Sequence, residues 1–296
     1  MRIAILAAVA VSTLAAQPHL DNVLVRMVPQ GTTALAGAQI QALLTTPAYR
    51  GLIEKQASAW FDKFTTETGF DPRRDVREIL FASVPEGGVL LARGHFDPKP
   101  QAFEQATLVR HGIYTIRAQG DNGLCILDSS LAAAGKLPAL KAALDEWNQK
   151  GQHAAAQPLL NRIRQVGPAA QLWAVSDGVA GLLSSARLPG PGSGFDISQI
   201  FRGLTDTWLE ASLASGLKFE AHGMAGVTKD AMALRDAAKG VVGFGRLSVP
   251  ENQPEMLPVF DGITVEQQDR SIAIRIDLAQ KTVDSLIALI STFTRK

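Results

Sequence analysis

Residues 77–96 read REILFASVPEGGVLLARGHF. Apolar residues recur at every second position on both sides of Pro85-Glu86-Gly87-Gly88, a set of turn formers. A period of two interrupted by such a turn predicts a β-hairpin. Residues 206–225, DTWLEASLASGLKFEAHGMA, repeat the pattern with Ser215-Gly216 at the turn. After each hairpin the sequence predicts a helical stretch, a second hairpin and a second helix. The second hairpins are GIYTIRA (112–118) with GLCILD (123–128), and ITVEQQD (263–269) with SIAIRIDL (271–278). The two passes align Ile79 with Leu209 and Ile113 with Ile263.

The expected fold is therefore α+β: two tandem similar units, each an antiparallel sheet of hairpins with amphipathic helices packed mainly on one face. Gly167-Pro168 is the expected boundary, giving units 17–167 and 168–296. A single α+β domain with repeated hairpin–helix units is the alternative. The clearest helix starts at Thr46-Pro47, with Trp60, Phe61 and Phe64 on its apolar face. Further helices are expected over 137–148, 158–166, 228–245 and 280–294. NVLVRMV (22–28) reads as a strand, DSSL (128–131) as a helix start, and His111 as a cation at a helix end.

Residues 1–16, MRIAILAAVAVSTLAA, place one Arg before an apolar run and then small residues. That order predicts a secretory leader cleaved near Ala16, and hence an exported protein, periplasmic or extracellular. Lys and Arg number 29 against 28 Asp and Glu, so no nucleic-acid partner is expected. No transmembrane segment is expected in the mature chain. Cys125 is the single cysteine, so no internal disulfide can form, and its apolar strand predicts a buried, inert thiol.

Candidate chemistry is sparse. His95 and Asp97 stand two apart on a strand edge, a spacing that suits a base and its orienter or two metal ligands. A metal would need a third ligand that no motif supplies, and Asp97 before Pro98 also reads as a helix cap. His222 falls near the matching place in the second unit. In LKFEAHG, Lys218, Glu220 and His222 share a face that should meet solvent or a groove. Gly240-Val-Val-Gly243-Phe-Gly245 ends a helix instead of opening one, so it is no phosphate loop, and no cofactor is expected. Trp60, Phe64, Trp173, Phe201 and Trp208 are candidates to line an apolar cleft, although core packing also accounts for them.

These features favour a non-enzymatic binding or envelope-associated protein whose partner is a hydrophobic ligand or an envelope protein. A hydrolase with its site at the seam between the units is the alternative.

Overall fold

The computed structural model describes residues 20–53, 58, 61–63, 65–66, 70–97, 106–149, 157–178 and 203–293. The leader reading of 1–16 and the expected helix at Pro98 lie outside them, as do the side chains of Trp60, Phe64 and Phe201.

The first half contains α1 (Asn22–Val25), β1 (Ala34–Gln39), α2 (Ile40–Leu44), α3 (Pro72–Asp75), β2 (Val76–Val84) and β3 (Gly87–Gly94). It continues with β4 (Thr107–His111), β5 (Tyr114–Gln119), β6 (Asn122–Asp128), β7 (Leu131–Lys136), α4 (Leu137–Asn148) and α5 (Gln157–Ile163). The second half holds β8 (Leu172–Gly178), β9 (Thr205–Ser212), β10 (Gly216–Met224), α6 (Thr228–Leu247), α7 (Leu257–Asp261), β11 (Ile263–Gln268), β12 (Ser271–Ala279) and α8 (Gln280–Phe293).

The twelve strands of the described residues join one antiparallel sheet in the order β11-β12-β10-β9-β8-β1-β2-β3-β7-β6-β5-β4. One sheet replaces the two expected. Strand β1 makes it continuous, pairing with β2 on one side and β8 on the other. Four of its six residues are alanine or glycine, and Gly37 leaves the space that the Trp173 indole fills from β8.

Three local expectations are corrected. NVLV, the start of NVLVRMV, forms helix α1, which the Asp21 carboxylate caps by accepting from the Val23 amide at 2.8 Å. DSSL is a turn into strand β7, whose Ala-rich run is drawn into the sheet between β3 and β6. TLVRH is strand β4, and His111 ends it against Tyr114. The added strand also moves the correspondence between halves. By position in the sheet, β11 and β12 match β6 and β7, not the β5/β6 hairpin.

Register separates the two faces of the sheet. On one face, Leu35, Leu80, Ala82, Val89 and Leu91 pack with Leu140 and Leu144 of α4, Leu159 and Ile163 of α5, and Leu24 of α1. On the other, Ile272 and Val265 pack under Ala231 and Leu234 of α6. Leu278 lies under Val283 of α8. Helices thus cover one face of the first half and the opposite face of the second. Strands β9 to β12 therefore carry the first face outward, and among the described residues no helix of the second half lies over it.

Candidate functional site

The register pairs Val175 of β8 with Trp208 of β9, and Trp208 with His222 of β10. Along that row the face changes from buried aliphatic to aromatic to titratable. The His222 ring lies flat on the Trp208 indole, centroids 4.1 Å apart and planes 14° apart. Its Nε2 is 2.7 Å from Glu220 Oε1. An ionised carboxylate only accepts, so Nε2 carries the hydrogen of this bond.

Glu220 is directly opposite Arg275 of β12, whose Nε donates to the same oxygen at 2.7 Å. Arg275 Nη1 then donates to Glu266 of β11 at 2.5 Å. Burial pushes the Glu220 carboxyl up, but the hydrogen bonds from His222 and Arg275 outweigh it, and the group titrates below the ordinary value. It remains a carboxylate at neutral pH and fixes the imidazole on the indole.

Glu210 stands opposite Glu220 across β9 and β10. Two carboxylates in that position repel unless each finds a partner. Glu210 resolves this by accepting the Gly167 amide at 2.5 Å, which ties the expected boundary dipeptide to the sheet.

The third side of the site comes from α5. Arg162, mostly buried, donates to Asp177 of β8 at 2.5 Å and also to Asp206 at the start of β9. Asp206 has φ +48°, left-handed backbone that only short polar side chains and glycine adopt readily. The pairing of β9 with β10 slips by one residue beside it, between His222 and Met224. Such a bulge re-aims side chains, and here it coincides with a carboxylate aimed at Arg162. Strain and bulge fall at one end of a cleft of about 350 Å³, lined by Arg162, Gln165, Asp206, Trp208, His222 and Ser271.

The fold thus brings together Trp208 and His222 of the expected candidates. Trp173 is core, buried beside Gly37. His95 and Asp97 are exposed beyond the end of β3, and among the described residues no hydrogen bond or ion pair joins their side chains. No group of three or more His, Cys, Asp or Glu residues able to hold a metal occurs among the described residues. Arg162, Asp177 and Asp206 have no sequence signal, because they meet only when α5 crosses β8 and β9. Glu220 and Arg275 are legible as outward positions of alternating strands, but their pairing is not.

The solved structures of TP0453 share this fold. Crystal form III aligns with a TM-score of 0.53 at 10% identity, covering 91% of this chain and 98% of that chain. Crystal form I gives 0.50 at 10% identity, covering 93% and 98%. At that identity the likeness concerns the fold alone. No protein-family model and no curated protein matches the chain. Among the described residues no helix is long and apolar enough to cross a membrane.

Proposed function

We propose that this is an exported, non-enzymatic binding protein of the cell envelope whose ligand sits in the cleft beside Trp208 and His222. The observation that carries the reading is the mutual engagement of the cleft's charged groups. Arg162 is held by two aspartates, and His222 is held by Glu220 and the indole. Side chains fixed in this way present a preformed surface, which lowers the ordering cost of binding. The aromatic pair supplies an apolar wall, and Gln165 and Ser271 add hydrogen-bonding groups. A ligand with one apolar face and a polar edge fits this lining.

The cleft lies at the seam of the two tandem units we infer, 17–167 and 168–296. Arg162 belongs to the first, and Asp177, Asp206, Trp208 and His222 to the second. The run β1-β2-β3-β7-β6, mirrored by β8-β9-β10-β12-β11, supports that inference.

One observation favours the hydrolytic reading. An imidazole oriented by a carboxylate at 2.7 Å inside a cleft is the arrangement of a general base. Against it, the ring is stacked and no hydroxyl hydrogen-bonds to His222 among the described residues.

Native and denaturing mass spectrometry of protein taken from the exported fraction tests both. Binding predicts a non-covalent adduct that is lost on denaturation and is absent from Trp208→Ala. An adduct equally present in Trp208→Ala would move the ligand elsewhere. An N-terminus at Met1 would overturn export. Ester turnover that disappears in both His222→Gln and Glu220→Gln would establish the hydrolase instead.

A further inference from the structure

The two edges of the sheet are finished differently. At the β11 edge the exposed side chains, Thr264, Glu266 and Gln268, are all polar. Keeping apolar side chains off an exposed edge is one way chains avoid strand-to-strand association. The β4 edge is not protected in this way. Leu108 is 65% exposed there and Ile113, in the adjoining turn, 81%.

The two-residue turn Gly112-Ile113 closes on the pair His111–Tyr114. In a two-residue hairpin that pair exchanges hydrogen bonds, and so does every second pair after it: Val109–Ile116 and Thr107–Ala118. The amides and carbonyls of Leu108 and Arg110 therefore point outward, and among the described residues no backbone group engages them.

We infer that the β4 edge joins a second copy of this chain, with β4 pairing antiparallel to β4 about a two-fold axis at Val109. The segment TLVRH is self-complementary in that register. Each Leu108 stands opposite the other copy's Arg110, and these two pairs use all the outward backbone groups in four hydrogen bonds. Val109 meets its own copy on the axis, and Thr107 meets His111. No like charges stand directly opposite. The two Arg110 side chains lie on one face of the pairing, and their repulsion acts over roughly 10 Å at 0.1 M salt, so association strengthens as salt is added. Such pairing is isologous and closes at two copies.

Sedimentation velocity of the full mature chain, over a range of protein and salt concentrations, tests this. The wild type should move reversibly between monomer and dimer. Leu108→Pro removes only an outward amide, which an edge strand tolerates, and should be monomeric with an unchanged unfolding midpoint. In case that variant loses β4, cysteine pairing reads the register independently. Non-hydrogen-bonded pairs place Cα atoms about 4.5 Å apart, within disulfide reach. Val109→Cys should therefore oxidise to a covalent dimer much faster than Leu108→Cys, and the buried Cys125 adds no background. A wild type that stays monomeric at every concentration would overturn the inference, whether or not another protein occupies the edge. So would equal cross-linking of the two cysteine variants.

Discussion

Replacing Gly37 with alanine probes the junction that makes one sheet of two halves. A Cβ added there falls 2.3 Å from two carbons of the Trp173 indole. Trp173 is 3% exposed and has no open side to move toward. Overpacking of this kind costs about 1–3 kcal/mol. With the indole gone the sign reverses, because alanine in a strand interior is favoured over glycine by about 0.5–1 kcal/mol. Gly37→Ala should then destabilise the wild type by about 2 kcal/mol and stabilise a Trp173→Leu background by about 0.5 kcal/mol. The implied coupling is about 2.5 kcal/mol, toward the upper end for residues in direct contact. Urea unfolding of the four proteins, followed by circular dichroism, measures it. Equal effects of Gly37→Ala in both backgrounds would refute the packing of the Trp173 indole against Gly37. A two-step transition in the wild type would refute cooperative unfolding across that junction.

Other perturbations have equally definite outcomes. Burial pushes the Cys125 thiol up to about 11, with Arg117 pulling weakly the other way, so thiol reagents should modify it only as fast as the protein opens. Burial also raises the Glu78 carboxyl. Its contribution to stability is complete below the ordinary glutamate value of 4.5 and is lost as pH rises through its folded value. Glu78→Gln should therefore raise the neutral-pH urea midpoint, and the gain should vanish in acid. Glu220 has the opposite sign: its contribution is present above 4.5 and is lost as pH falls through its lowered value. Glu220→Gln should flatten the acid limb of a plot of unfolding midpoint against pH. Asp21 caps α1 and accepts from Arg93 at 2.9 Å. Asp21→Ala should cost about 1–2 kcal/mol and speed proteolysis near the N-terminus, read by mass spectrometry of the fragments.

The hairpins were legible because each is a local object. Alternation and turn chemistry act within about twenty residues, so REILFASVPEGGVLLARGHF specifies β2 and β3 without help. Strand β7 was not legible. LAAAGK consists largely of helix formers, and only the flanking β3 and β6 make it a strand, since small side chains suit a position paired on both sides. The merging of two sheets into one rests on β1 pairing with β8, from Ala34↔Ser176 to Ala38↔Leu172; the two segments are far apart in the chain, and no local pattern encodes their contact. The site divides in the same way. His222 and Glu220 appear as outward residues of one alternating strand, whereas Arg162, Asp177 and Asp206 come from three segments that only the folded chain brings together.

The strand order makes the two surfaces inferred for this molecule separable. Strand β4 is at one end of the sheet, and eight strand steps lie between it and β9, which carries Trp208. At about 4.8 Å per step the path along the sheet is about 38 Å. Pairing through β4 would extend the sheet at that end and leave a cleft toward each outer end of the dimer. No side chain is shared between edge and cleft, and mutations at such distances combine additively. Trp208→Ala should thus leave the sedimentation of the protein unchanged, and Leu108→Pro should leave its adduct in native mass spectra unchanged. If ligand occupancy instead fell with dissociation of the dimer, the two ends would be coupled. A rigid twelve-stranded sheet offers no second arrangement to carry that coupling, so the cause would have to be a second copy that reaches the cleft itself.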